Sequence, residues 1–292
     1  MDLTKRIKKV ALANHMDYVG VAPVERLEDE PEGLKPESFL PGAQSVISLG
    51  INMNLGTQLA HQIAYNHHQR NAILGYMWWS FNALNFHLDR AAYYVSRLVE
   101  DEDPGYLAVP MPSSSPFSLR RSITEFSNVH AAVAAGLGKL GWNGFCLNPG
   151  RGPAVRYTSI ITNVSLAPTP MYSGPRLCEP EECGFVCAKV CPTDALLPEK
   201  ERRIIGGIGV DVAGLDRWRC LWGRLGLSQG SLALSPIPIP DNIDLEVINK
   251  ALTQRDPRQS TEVGPFGTVD YCGKCIVQCP VGGERQIIMG KH

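Results

Sequence analysis

The sequence predicts a two-domain α+β protein. Over residues 1–170, segments with helical periodicity follow segments with the alternation of β-strands. Eight of the nine cysteines lie beyond the proline-containing segment 168–175, and the ninth is Cys146. We therefore predict one domain over 1–170 and a second, cysteine-rich domain over 171–292, joined by a linker at 168–175.

Periodicity predicts the elements of the chain in order. Helices are expected where apolar residues recur every three or four positions, over residues 3–16, 57–100, 128–135 and 241–254. Strands are expected where β-branched residues run together or alternate, over residues 17–22, 45–49 and 154–164. Residues 104–118 contain four prolines and are predicted to be irregular, and a loop of this length in a compact domain is often functional.

The composition is that of a water-soluble globular protein. Lys and Arg number 28 against 29 Asp and Glu, so the net charge of −1 gives no electrostatic argument for nucleic acid as the main partner. The N-terminus lacks the apolar core of a signal peptide, and the most apolar stretch, 72–88, is interrupted by polar residues. We predict a cytoplasmic protein that does not span a membrane. In that compartment clustered cysteines bind metal more often than they form disulfides.

Two cysteine groups, each ending in Cys-Pro, have the spacing of iron–sulfur proteins. They read Cys178-x4-Cys183-x3-Cys187-x3-Cys191-Pro192 and Cys272-x2-Cys275-x3-Cys279-Pro280, with Cys220 between them. In two-cluster ferredoxins four thiolates hold each [4Fe–4S] cluster, and the cysteine before the proline binds the other cluster. This crossover uses all eight cysteines and leaves Cys146 as a buried thiol. Cluster one takes Cys178, Cys183, Cys187 and Cys279, and cluster two takes Cys191, Cys220, Cys272 and Cys275.

Structural zinc and free thiols are the alternatives to two clusters. Zinc sites favour paired C-x2-C units, and only Cys272 and Cys275 have that spacing. The x4 and x3 spacings of the first group are looser than the common C-x2-C-x2-C pattern. The total of eight ligands is therefore better determined than the pairing of individual cysteines.

A glycine-rich loop, GLGKLG at 136–141, matches the pattern G-x-G-x-x-G. A dinucleotide site would need a strand before the loop and an acidic residue roughly 20 positions after it. This loop follows a predicted helix, and no acidic residue lies between Glu125 and Glu179. We expect instead that the glycines let a large group approach the backbone closely. A plain helix-to-strand turn is the alternative.

In the order of its motifs the chain resembles the cobalamin-dependent iron–sulfur reductases, which include epoxyqueuosine reductases and reductive dehalogenases. The resembling segments are HAAVAAGLGKLGWN at 130–143, GPAVRYTSIITNVSL at 152–166, the two cysteine groups, and RWRC ending at Cys220. The resemblance implies a nitroreductase-like α/β corrinoid-binding domain followed by a ferredoxin-like double [4Fe–4S] domain. It also implies base-off cobalamin. The corrinoid-binding residues implied are His130, Ala135, Gly136, Leu137, Gly138, Gly141, Asn143 and Arg156.

The resemblance further implies an oxidoreductase. The expected reaction is a reductive-dehalogenase-like reductive elimination on a small organic substrate, with ferredoxin or flavodoxin as the low-potential electron donor. The catalytic candidates are Tyr106, with Tyr93 and Tyr94 as rivals for the proton donor, Glu125, and Arg156. Glu125 stands near the position of the Asp that epoxyqueuosine reductases use. One alternative is epoxyqueuosine-reductase-like modification of tRNA, and another is a ferredoxin-like electron-transfer protein without a corrinoid.

Overall fold

The computed structural model describes residues 2–114, 126–256, 258 and 272–282. Its strands are β1 (Tyr18–Pro23), β2 (Ser45–Asn52), β3 (Ala108–Met111), β4 (Lys139–Leu140), β5 (Cys146–Leu147), β6 (Val155–Thr162), β7 (Leu196–Ile205) and β8 (Ile208–Leu215). Its helices are α1 (Leu3–Ala13), α2 (Leu55–Asn66), α3 (Ile73–Gly75), α4 (Ala83–Glu100), α5 (Asn128–Ala134), α6 (Val186–Lys189), α7 (Arg217–Arg224), α8 (Leu245–Gln254) and α9 (Lys274–Val277). A π-helix, Tyr76–Asn82, joins α3 to α4.

An antiparallel sheet of order β1-β2-β6-β3 forms the centre of the N-terminal half. The inner strands β2 and β6 are buried almost along their whole length, as their β-branched and apolar residues require. Ala108 pairs with Thr162 and Asn52 pairs with Val155, so β3 and the end of β2 meet opposite ends of β6.

Alternate residues of the sheet face two hydrophobic cores. Leu49 and Ile160 pack with α1 and α4, through residues such as Ile7 and Leu88. Val46, Tyr157 and Ile161 pack on the opposite face with the alanine-rich α5. The side-chain period of two along each strand therefore places helices on both faces of the sheet.

The cysteine-rich half packs directly onto these cores. Ile276 and Val277 of α9 belong to the core of α1 and α4, and Ile205 and Val212 of the β7–β8 hairpin belong to the core of α5. The hydrophobic cores are continuous across the predicted boundary at residue 170. The division into domains 1–170 and 171–292 stays a prediction.

The predicted strands and three of the predicted helices are confirmed, with ends that differ by a few residues, and the mixed α and β content agrees with the predicted class. The predicted helical segment 57–100 is mostly helical but is divided into α2, α3, the π-helix and α4. Within residues 104–114 the prediction of irregular structure is wrong, because β3 lies there. Proline 110 is tolerated because β3 is an edge strand.

The predicted linker is also more ordered than expected. Thr169 exchanges hydrogen bonds with Val21 of β1, its N–H donating to the Val21 carbonyl at 2.9 Å and its Oγ1 accepting from the Val21 N–H at 3.0 Å. In the part of the chain that the structure describes, no helix is long and apolar enough to cross a membrane. The cytoplasmic location stays a prediction.

Candidate iron–sulfur centre

Two short helices carry one cysteine each into the centre of the cysteine-rich half. Cys187 lies in α6 and Cys275 lies in α9, and the two helices are neighbours. Each helix follows a residue with positive φ, Phe185 at 55° and Gly273 at 92°, which turns the chain sharply into the helix. These turns bring the sequence-distant cysteine groups together.

The first set of thiols surrounds Cys187. Burial, followed by the nearby Cys279, raises the pKa of Cys187 to about 12, and Cys178 and Cys183 also lie within electrostatic range. These are the four cysteines predicted for cluster one. The backbone N–H of Trp142 donates a hydrogen bond to Sγ of Cys178 at 3.3 Å. Hydrogen bonds from backbone N–H groups to sulfur are among the features that tune cluster potentials.

The second set surrounds Cys275. Burial raises the pKa of its thiol well above the ordinary value, and Cys272, Cys220 and Cys191 raise the pKa further. These are the four cysteines predicted for cluster two. The N–H of Ala195 donates to Sγ of Cys191 at 3.2 Å. Cys187 of the first set is also within electrostatic range of Cys275, so the two sets are adjacent.

The donor chemistry of both sets fits [4Fe–4S] clusters. Each set offers four thiols, and binding would require them to be deprotonated, which iron at the site favours. Among the described residues, no three His, Cys, Asp or Glu side chains surround a single-ion position. Four thiolates of a cluster bind four separate irons and stand farther apart than the ligands of one ion. The individual ligand assignments stay predictions.

The glycine loop is filled by the chain's own backbone. A Cβ on Gly136 would lie 2.1 Å from the carbonyl oxygen of Pro170, and one on Gly138 would lie 2.1 Å from that of Leu147. A Cβ on Gly141 would lie 2.7 Å from the side chain of Leu147. The glycines do permit a close approach, but the group that approaches is β5 and the segment before the first cysteine group. On the side where a Cβ would stand, the chain itself therefore occupies the space at these three positions, and binding of a corrinoid at the loop stays a prediction.

The other residues predicted to bind a corrinoid are also engaged within the chain. Nδ1 of His130 contacts Oε1 of Glu30 at 2.5 Å, and Ala135 is fully buried beside Gly20. The carbonyl of Leu137 accepts a hydrogen bond from Nδ2 of Asn148 at 3.1 Å.

Asn143 and Arg156 likewise have partners inside the chain. Nδ2 of Asn143 donates to the carbonyl of Cys275 at 3.1 Å. Nε of Arg156 donates to Oδ1 of Asn85 at 2.8 Å, and its guanidinium lies over the Phe81 ring, 4.2 Å from the centroid. Each of the eight predicted residues thus has contacts within the chain, and their role in binding a corrinoid stays a prediction.

A cavity of about 360 Å³ lies between the glycine loop, the first cysteine group and the β7–β8 hairpin. Its walls include Trp142, Cys178 and the cationic side chains of Lys139, Lys200 and Arg202. Pockets for drug-sized ligands start at roughly this volume, and a cobalamin is much larger than such ligands. The cavity gives solvent access to Cys178 of the first set, and it does not fit a corrinoid.

The catalytic candidates do not converge. Tyr106 precedes β3, whose Ala108 pairs with Thr162, whereas Arg156 lies six residues earlier on β6. At about 3.3 Å per residue, roughly 20 Å separates the two ends of the strand. Tyr106 and Arg156 are therefore not in direct contact, and their catalytic roles stay predictions. Glu125 lies outside the described residues.

The rival tyrosines are surface residues. Tyr93 and Tyr94 lie on α4 with about half of each side chain exposed, and their rings contact each other with centroids 5.7 Å apart. Neither lies in an enclosed site of the kind that tunes a proton donor. The structure therefore brings the cysteines together and leaves the predicted proton donors apart.

His61 is a site residue that the sequence did not reveal. It is fully buried on α2, and its Nε2 lies 2.9 Å from the carbonyl oxygen of Cys272. Burial lowers the pKa of His61 to about 4, so the ring is neutral near pH 7. No sequence pattern connects it with a cysteine 211 positions away.

Solved structures share this fold. An epoxyqueuosine reductase from Bacillus subtilis superposes with a TM-score of 0.50 at 16% identity, over 97% of this chain and 66% of that one. An epoxyqueuosine reductase with a tRNA-Tyr stem loop gives 0.51 at 16% identity, over 97% and 66%. A catabolic reductive dehalogenase in complex with 3-bromo-4-hydroxybenzoic acid gives 0.53 at 16% identity, over 88% and 34%.

The chain thus spans about two thirds of the reductase length and about one third of the dehalogenase length. No protein-family model matches the sequence, and no curated protein is detectably similar to it. The structural neighbours are the two kinds of reductase that the sequence motifs resemble, so that resemblance is confirmed at the level of the fold.

Proposed function

We propose that the protein is an iron–sulfur reductase whose eight cysteines hold two [4Fe–4S] clusters. The observation that carries the proposal is the packing of Cys178 and Cys275, from the two sequence-distant groups, in one cluster with the buried Cys187. When bound, two such clusters supply one-electron transfer at low potential. The reductases among the structural neighbours support an oxidoreductase.

The chain's own residues give the two sets different surroundings. Cys178 of the first set borders the cavity, which gives an electron donor a route to this set. Cys275 of the second set packs against the core of the N-terminal half. We propose that the substrate binds in that half. We propose ferredoxin or flavodoxin as the donor, acting at the first set.

The proposed reaction is a reductive elimination on a small organic substrate. It is supported by the shared fold with a reductive dehalogenase whose structure is described as suggesting a mechanism for B12-dependent dehalogenation, at 17% identity and a TM-score of 0.50. The neighbour with a tRNA stem loop keeps tRNA modification as an alternative. A net charge of −1 gives that alternative no support.

The only support for cobalamin in this proposal is the fold that the chain shares with the B12-dependent dehalogenase. We assign no residue of this chain to cobalamin. All eight residues that the sequence suggested have partners within the chain. The second candidate function is electron transfer through the two clusters without a corrinoid.

One anaerobic reconstitution distinguishes the candidates. The purified chain would be loaded with iron and sulfide, its iron and acid-labile sulfide counted, and hydroxocobalamin then added in equilibrium dialysis. About eight irons per chain are expected for two clusters. Eight irons with bound cobalamin support the corrinoid reductase, and eight irons without it support the electron-transfer protein. Zinc without acid-labile sulfide overturns both.

A further inference from the structure

Two side chains of the N-terminal half bind the backbone of the second cysteine group. Nε2 of His61 contacts the carbonyl oxygen of Cys272 at 2.9 Å, and Nδ2 of Asn143 donates to the carbonyl oxygen of Cys275 at 3.1 Å. His61 comes from α2, whereas Asn143 follows the glycine loop. Two separate elements therefore hold the same short segment of chain.

The anchors themselves are fixed in place. The His61 ring lies between the rings of Tyr65 and Tyr76, with both centroids 4.7 Å away. Because a carbonyl oxygen can only accept, Nε2 of His61 carries the hydrogen. Asn143 is buried, and its Oδ1 accepts a hydrogen bond from the N–H of Phe145 at 3.2 Å. Neither side chain can rotate freely to follow a moving partner.

The segment between the two carbonyls is equally constrained. Gly273 has a φ of 92°, and a Cβ there would lie 2.1 Å from the hydroxyl oxygen of Tyr76. The N–H groups of Ile276 and Val277 donate to the Gly273 carbonyl and begin α9. With the carbonyls of Cys272 and Cys275 held on either side of this turn, the directions of both thiols are set by the N-terminal half.

We propose that His61 and Asn143 are positioning residues for cluster two. They orient the backbone of Cys272 and Cys275, and they exclude water from that side of the cluster. The proposal rests on the proposed function, because it requires the second set of cysteines to hold a cluster. Groups behind metal ligands tune a site by fixing ligand orientation and solvent access. In the first set, by contrast, the contact from the glycine loop is the main-chain N–H of Trp142.

The test compares three variants of the reconstituted full chain. His61→Phe keeps an aromatic ring and removes the donor, Asn143→Ala removes the amide, and His61→Gln restores a donor. Asn148→Ala is the matched control: Asn148 is a buried asparagine that binds the Leu137 carbonyl of the same loop and none of the cysteine segments. The readouts are the electron paramagnetic resonance signal and midpoint potential of each cluster, and the rate of iron loss to a chelator. Cys220→Ser, which removes a predicted ligand of cluster two, identifies the signals of that cluster.

We expect His61→Phe and Asn143→Ala to change the signal and potential of cluster two and to weaken its iron retention by roughly 10–100-fold. Cluster one should keep its signal, and His61→Gln should recover part of the loss. Equal effects on both clusters, or the same pattern in Asn148→Ala, overturn the proposal in favour of general destabilisation. Unchanged cluster-two signals also overturn it while leaving the proposed function intact. A wild-type chain that binds no clusters overturns both.

Discussion

The backbone N–H of Trp142 donates to Sγ of Cys178 across 36 positions of sequence, at 3.3 Å. The carbonyl of the same residue accepts from the N–H of Ala213 at 2.9 Å, and its indole contacts the Phe185 ring with centroids 5.2 Å apart. One residue thus ties the glycine loop to the first cysteine group and to the β7–β8 hairpin. The residue that follows the loop therefore helps to position Cys178.

The ligand assignment predicts opposite results for two cysteine variants. Cys220 belongs to the second set, so Cys220→Ser should lower the iron content from about eight per chain toward about four. Cys146 is buried in the core of α5 and belongs to neither predicted ligand set, so Cys146→Ser should keep about eight. Iron and acid-labile sulfide after anaerobic reconstitution measure both. An equal loss of iron in the two variants would contradict the assignment.

The buried thiol of Cys146 predicts a loss of stability at alkaline pH. Burial raises the pKa of this thiol from 9.0 to about 12. The unfolded chain releases the proton above pH 9 while the folded chain retains it, so the free energy of unfolding falls as pH rises from 9 to 12. One such group contributes a slope of about 1.4 kcal/mol per pH unit.

The measurement is urea unfolding of the wild type and of Cys146→Ala at several pH values from 8 to 11. Other alkaline titrations affect both chains, so the difference between the two curves reports Cys146 together with its neighbour Tyr157, whose pKa Cys146 raises. Parallel curves would show that the thiol is accessible to solvent. Iodoacetamide should leave Cys146 unmodified in the folded chain and modify it after unfolding.

The crowding around Gly138 predicts that alanine is not tolerated there. The new Cβ would meet the backbone carbonyl of Leu147 at 2.1 Å, so Gly138→Ala should cost about 1–3 kcal/mol or more. Gly56→Ala is the control, because Gly56 lies on α2 with open space around it. That variant should stabilise the helix by up to about 1 kcal/mol. Denaturation midpoints without added cobalamin test both variants. An unchanged midpoint for Gly138→Ala would contradict the close approach of the Leu147 carbonyl to Gly138.

The contact between Arg156 and Asn85 predicts energetic coupling between β6 and α4. Lysine can neither reproduce the Nε hydrogen bond to Oδ1 nor stack flat on the Phe81 ring. Arg156→Lys and Asn85→Ala should each destabilise the fold, with a coupling of about 1 kcal/mol in a double-mutant cycle. Strictly additive effects would contradict an energetic coupling between Arg156 and Asn85.

Local sequence patterns were enough to predict most of the helices and strands of the N-terminal half. The helix α8 is an example, because Asp244 accepts a hydrogen bond from the N–H of Val247 at 2.8 Å and the apolar residues follow at helical spacing. The strand β3 was missed because one of its four residues is Pro110, and proline usually indicates a loop. Only its place at the sheet edge makes that proline acceptable.

The cysteine spacing by itself predicted two sets of four thiols, because the crossover rule acts through short segments of sequence. The tertiary structure decided what the sequence pattern left open. It showed that the glycine loop is filled by the carbonyls of Pro170 and Leu147, that Tyr106 and Arg156 stand at opposite ends of β6, and that His61 reaches Cys272. These relationships join residues far apart in the chain, and only the packing of the folded backbone brings such residues together or separates them.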